Sequence, residues 1–354
     1  MKAIVNKSTF LSHLLGLAIV LMALSDVLQS KELITFGAAI SLVAFILYFP
    51  INEGYLFLEA MLFILVLLIT SLINLFFTEN GLGGTITLLG NLLLAYLFIV
   101  IENKKMVVWI LLSYSITVGF IAYNLFVLKT DPNYIYEGLS RNHAGFVVVF
   151  WTGFLLFYLK ITYNYYLLIF PIFGLILSFF LFGRTSLIVS TLLVVVVFFY
   201  KFRSNTIIQI LAVALLTMGS YYLFINFGDK LTTETNLGEG LDTPRWELWR
   251  IYWNHINAVN LFTGVDVTTL PMYEQFSGNP HNSFIKFHSR AGIGSIIFMI
   301  LFVVSIFKYV KLKQYYSLWL LLLLTLRASF DGDMFIGNFD FIFLIITFYW
   351  IKIE

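Results

Sequence analysis

Apolar runs long enough to cross a bilayer, roughly 17–25 residues each, recur from one end of this 354-residue chain to the other. Uninterrupted runs of that length are spanning helices, because barrel strands are shorter and alternate in polarity. Only 11% of the residues are charged while 60% are hydrophobic, a balance a water-soluble globule cannot present without burying nearly everything. The expected fold is therefore an all-α polytopic membrane protein, one membrane domain over residues 1–354. Twelve spans are expected, at 10–28, 33–49, 55–77, 82–101, 106–128, 144–160, 164–183, 185–200, 206–227, 283–307, 315–330 and 337–351. Lys2 and Lys7 precede the first run as they would in a signal peptide, but no small-x-small cleavage pattern follows, so it reads as a retained helix. The chain has no cysteine, hence no disulfide or thiolate site, and its net charge of +2 belongs to no basic domain that would bind nucleic acid.

Polar punctuation separates the runs, as in Lys31-Glu32, Glu79-Asn80-Gly81 and Lys201-Phe202-Arg203-Ser204-Asn205. Two connections are long: Lys129 to His143, and the large loop at 228–281 between spans nine and ten. A loop of the second size is expected to carry function and short interfacial helices. With the N-terminus cytoplasmic, the short inner segments hold eleven lysines and arginines and the short outer ones three. Positive charge favours the cytoplasm, so both long connections face outward.

Arginine breaks this pattern. Arg141, Arg184, Arg245, Arg250, Arg290 and Arg327 all fall on the outer side and only Arg203 on the inner. The planar guanidinium pairs bidentately with phosphate and keeps its charge when partly buried. Six on the unfavoured face point to an outward site, at membrane level, for a phosphorylated or otherwise anionic group. The competing reading for any one of them is a loop charge or a lipid-headgroup anchor.

Arg184 lies in Gly183-Arg184-Thr185-Ser186, a turn so tight between two apolar runs that it needs either a partner or a path to the headgroups. In the large loop, Asp242-Thr243-Pro244-Arg245-Trp246 reads as a helix start, with Asp242 or Thr243 as cap and Pro244 in the first turn. Trp246, Trp249 and Trp253 then share a face suited to an interface. Arg245 stands where the helix dipole favours an anion, so a cation there suggests bound negative charge.

His281 and Asn282 open the tenth span, on the arginine-bearing side. A histidine there can exchange a proton or a hydrogen bond with a hydroxyl, although an isolated interfacial histidine is commonly structural. His288, farther along, ranks below it. Asp331-Gly332-Asp333 is a spacing that can hold a divalent cation, but beside Arg327 it reads more simply as a charge cluster. No residues are assigned to a metal.

Pro280-His281-Asn282-Ser283-Phe284, running into Arg290-Ala291-Gly292-Ile293-Gly294, resembles the O-antigen polymerase and O-antigen ligase superfamily. In that family a His-Asn pair opens a membrane helix after the large external loop, with a glycine about ten positions later. Supporting marks are the Gly183-Arg184-Thr185-Ser186 turn, Arg245 followed by Trp249, and Arg141-Asn142 before the sixth span. The likeness covers mainly residues 141–295. It implies a C-class membrane glycosyltransferase in a bacterial cytoplasmic membrane, needing neither metal nor cofactor, with a sugar chain on undecaprenyl diphosphate as donor. A flippase and a chain-length regulator are the partners it implies. Ligase-like members often have an acid two residues before the glycine; Arg290 stands there, which leans toward polymerase.

The expected activity joins lipid-linked repeat units outside the cytoplasm. Arg184, Arg245 and His281 are the expected catalytic residues, with Arg141, Asn142, Trp249, Arg250, Asn282 and Arg290 binding substrate. The arginines would stabilise the leaving diphosphate. Two alternatives stand beside it: a ligase passing the glycan to another acceptor, and a flippase or exporter of lipid-linked saccharides.

Overall fold

The computed structural model describes residues 2–48, 82–101, 104–210, 244–276, 278–335 and 339–353, with isolated helical residues at 65, 69, 72, 214, 218, 221, 225 and 226. Among these the regular structure is helical, with no strand. The helices are α1 (Lys2–Val27), α2 (Lys31–Tyr48), α3 (Leu82–Ile101), α4 (Met106–Phe126), α5 (Arg141–Tyr163), α6 (Ile169–Phe180), α7 (Arg184–Lys201), α8 (Pro244–Asn254), α9 (Ala258–Thr263), α10 (Ser283–Ala291), α11 (Ile293–Lys311), α12 (Tyr315–Ser329), α13 (Asp340–Phe348) and α14 (Trp350–Ile353).

Six of the described helices are long and apolar enough to cross a membrane: Thr9–Val27 within α1, then α2, α4, α5, α7 and α11. Their outward faces carry exposed Phe36, Ile46, Val108, Ile188, Ile300 and Phe307, while Asp26, Asn91 and Arg327 lie inside. That inversion suits an apolar solvent, in which a polar side chain is stable only against another polar group inside the bundle.

Several expected spans differ. Residues 164–183 contain only α6, twelve residues, and about 18 Å of helix falls short of a hydrocarbon core of about 30 Å. It is bounded by Asn164, left-handed at φ 57° where it ends α5, and by Phe182 at φ 53°. The span at 283–307 is two helices, because Gly292 at φ 47° breaks the chain between α10 and α11. A Cβ on Gly292 would collide with the Phe262 carbonyl oxygen, so only glycine admits the approach of α9. The last two spans shorten to α12, fifteen residues, and to α13 with α14. The spans at 55–77 and 206–227, and the loop from 228 to 243 with the Asp242 and Thr243 cap, lie essentially outside the described residues.

Helix α5 runs through the centre, with Ala144 to Leu159 all buried, and packs against α4, α6, α7, α12 and α13. Gly145 permits the α7 contact, since a Cβ there would collide with the Ser186 hydroxyl. The close approach carries Gly183 to Asn142 and sets Arg184 beside the first turn of α5. The described part of the large loop folds as α8, α9 and two 3₁₀ turns around a small core of Leu248, Tyr252, Val265, Leu270 and Tyr273 that Ile285 of α10 completes.

Candidate functional site

The last turn of α1, the first turns of α5, α7 and α10, and the segment after α12 converge at one end of the bundle. Arg327, 1% exposed, joins α5 to the segment after α12. Its Nη2 donates to Asp331 Oδ2 at 2.8 Å and to the Asn142 carbonyl at 2.6 Å. The Ser283 hydroxyl donates to the Asp331 carbonyl at 2.6 Å and accepts from the Met334 amide at 3.1 Å, while Lys286 Nζ donates to the Gly332 carbonyl. The Asp331-Gly332-Asp333 turn is thus clamped between α5 and α10.

Beside it His143 bridges two carboxylates. Nε2 lies 2.8 Å from Asp26 Oδ1 and Nδ1 lies 3.2 Å from Asp333 Oδ2, and the Tyr136 hydroxyl donates to Asp26 Oδ2 at 2.8 Å. Asp26, Gln29, Glu137, His143, Lys286 and Asp333 line a cleft of about 360 Å³. Burial works upward on the Asp333 carboxyl, but His143, Lys286 and Arg327 hold it well below the usual carboxylate range. Burial and the neighbouring Asp333 push Asp331 up, with Arg327 acting against them.

The expected catalytic residues border this group. Burial, with Arg327 and Arg184 adding to it, lowers the Arg245 guanidinium from its ordinary value, and Asp331 opposes the shift. Arg184, Arg245, Arg327 and Asp331 are therefore electrostatic neighbours, three cations about one carboxylate. His281 is half-buried, packs edge-on to Phe276 with ring centroids 5.6 Å apart, and holds φ at 49° while its amide donates to Asn279 Oδ1 at 2.9 Å. Burial, then Arg245 and Lys286, push its ring down to about 4, against Asp333. The ring is neutral near pH 7 and feels the charge of both the arginine group and the cleft.

The remaining expected residues divide. Asn282 caps α10, its Oδ1 accepting from the Phe284 and Ile285 amides at 2.9 and 3.1 Å. Asn142 contributes its carbonyl to Arg327, and its side chain faces Gly183. Trp249 is a strut: Nε1 donates to the Pro280 carbonyl at 2.9 Å and its ring packs on Trp246 and Phe330. Arg250 is exposed and pairs with Glu247 at 2.7 Å, apart from the cluster. Arg290 lies on α10, where burial brings it down to about 10 against the pull of Asp340. Arg141 opens α5 at the same end. His288 is buried with Tyr252 Oη at 2.6 Å from its Nδ1, which makes it a packing residue of the loop core.

Reasoning from sequence misses Asp26, Tyr136 and His143 as site residues, and counts Arg327 among the outward arginines without giving it a role. Asp26 has a usable signal, a carboxylate near the end of an otherwise apolar span. Tyr136 has none. Among the described residues no group of three or more His, Asp or Glu side chains is arranged to hold a metal ion. Comparison with protein-family models, curated proteins and solved structures finds nothing that matches the chain.

Proposed function

We propose that this chain is a metal-independent membrane glycosyltransferase, a polymerase that transfers a growing glycan from undecaprenyl diphosphate to a hydroxyl of another lipid-linked repeat unit, on the outer face of a bacterial cytoplasmic membrane. The observation that carries this reading is the gathering of Arg184, Arg245 and Arg327 about Asp331 at one end of an apolar bundle, where burial first, and then the other two arginines against the pull of Asp331, lower the Arg245 guanidinium. Like charges held this closely repel one another, and arriving negative charge relieves the repulsion. A lipid diphosphate supplies that charge, and its tail is at home between apolar helices.

In this reading Arg184 and Arg245 hold the diphosphate and stabilise the charge it gains as the glycosidic bond breaks, the strongest stabilisation available in a site with little water. Arg327 is committed to Asp331 and Asn142 and frames the site. His281, neutral between Arg245 and the cleft, orients the attacking hydroxyl, and Asn282 fixes it by capping α10. Arg290 and Arg141 add positive potential nearby. The flippase and chain-length regulator expected from the resemblance would act before and alongside it.

The test is polysaccharide length in cells that depend on this chain, with Arg184→Ala, Arg245→Ala and His281→Ala. Each arginine variant is expected to lower polymer output by about 100-fold or more, leaving single repeat units on the outer surface. Full-length polymer from all three correctly inserted variants would overturn the reading.

A further inference from the structure

The polar end of the bundle has two compartments, one dominated by arginines and one of mixed charge. One is the arginine group around Asp331. The other is the cleft beneath the Asp26–His143–Asp333 bridge, about 360 Å³ in volume, within the range that accommodates a small ligand. The turn Asp331-Gly332-Asp333 belongs to both, since Asp331 faces Arg327 while Asp333 faces His143 and the cleft.

The cleft is built for hydroxyls. Asp26, Glu137 and Asp333 present carboxylates, Gln29 an amide and Ser25 and Ser30 hydroxyls, with Lys31 and Lys286 in the same lining. Carboxylates accept hydrogen bonds from neutral hydroxyls, and amides, hydroxyls and ammonium groups supply the donors a saccharide also needs. Of the two carboxylates in the bridge Asp333 is the more accessible, its side chain 18% exposed where that of Asp26 is 4%. His143 has both ring nitrogens within hydrogen-bond distance of carboxylates, so it positions Asp333 and has no nitrogen left for substrate.

We propose that this cleft is the acceptor-saccharide subsite, and that Asp333 is the catalytic residue that binds the attacking hydroxyl and receives its proton. The idea rests on the glycosyltransferase reading above. As the hydroxyl oxygen bonds to the anomeric carbon, the bond from that carbon to the diphosphate breaks. The electron pair stays on the diphosphate, among the arginines, and the hydroxyl proton passes to the Asp333 carboxylate. The Asp331-Gly332-Asp333 turn separates the groups that serve the entering and leaving oxygens. His143, Lys286 and Arg327 outweigh burial and keep Asp333 ionised at neutral pH, so it accepts a hydrogen bond from the hydroxyl and takes the proton only as the oxygen gains positive charge on bonding to the anomeric carbon.

The experiment uses the full chain in lipid nanodiscs. The acceptor probe is a phosphate-free glycoside of the repeat unit from the native cells, and the donor is the lipid-linked repeat unit from the same source. Binding of the glycoside is followed by calorimetry and elongation by gel. Asp333→Asn is expected to bind the glycoside within a few-fold of wild type while elongation slows by about 100-fold or more. Leu139→Trp fills the cleft from an exposed position without touching the charged bridge. It is expected to weaken glycoside binding at least tenfold while competition by undecaprenyl diphosphate is unchanged. Glycoside binding unaffected by Leu139→Trp, or elongation unaffected by Asp333→Asn, would overturn the inference. Wild-type protein that binds the glycoside in the cleft but never elongates it would instead remove the polymerase reading and with it the role of Asp333, leaving the saccharide site standing.

Discussion

His143 in the first turn of α5 and Asp26 in the last turn of α1 are 117 residues apart in the chain, yet His143 Nε2 and Asp26 Oδ1 meet at 2.8 Å. The contact joins the first helix to the central one at the end where the polar groups collect. Removing the imidazole would leave Asp26 and Asp333 facing each other inside an apolar bundle. His143→Ala is expected to cost about 3–5 kcal/mol, as for one partner of a buried charge pair, and His143→Gln less. Thermal unfolding in detergent measures both, and an unchanged midpoint for His143→Ala would refute it.

Two arginines that look alike in sequence should behave in opposite ways. Arg327 is buried and bound to Asp331 and Asn142, so Arg327→Leu should destabilise by about 3–5 kcal/mol. Arg250 is exposed with Glu247 as its partner, so Arg250→Ala should stay within about 0.5 kcal/mol of wild type and leave polymer length unchanged. Melting curves and gels of the two variants side by side decide it.

The His281 ring sits at about 4, against 6.5 when free. The unfolded chain therefore binds a proton that the folded chain refuses between those values, and stability must fall as pH drops from 6.5 toward 4. His281→Gln removes this contribution, so its stability should decline less over the same window. Equal slopes for the two proteins would show that the ring is not depressed.

Gly292 combines a positive φ with a backbone neighbour, the Phe262 carbonyl, that leaves no room for a Cβ. Gly292→Ala should push α9 off the start of α11, destabilise the loop core around Tyr252 and His288, and raise protease cleavage within 255–264. An intact loop with normal protease resistance would contradict this placement.

Helix content and an apolar environment are legible from periodic apolar runs, because a run long enough to span can bury its backbone polar groups only in a helix. The start of α8 at Pro244 is legible as well, whereas Asn282, expected at substrate, caps α10. Helix ends are less so. The stretch from Asn164 to Gly183 would need unbroken helical torsions to span, and Asn164 and Phe182 take left-handed ones instead, a choice their local composition leaves open.

A helical bundle with an apolar exterior and the polar turn entering α10 can both be read from the chain alone, since each depends on residues adjacent in it. Which charges meet cannot. Folding joins Arg327 to Asp331 and Asn142, leaves Arg250 at the surface, and brings Asp26, Tyr136 and His143 into a bridge with Asp333. Those pairings arise because a buried charge is stable in an apolar bundle only where packing brings it an opposite one. Packing in turn is set by close approaches such as Gly145 against Ser186, to which no local spacing points.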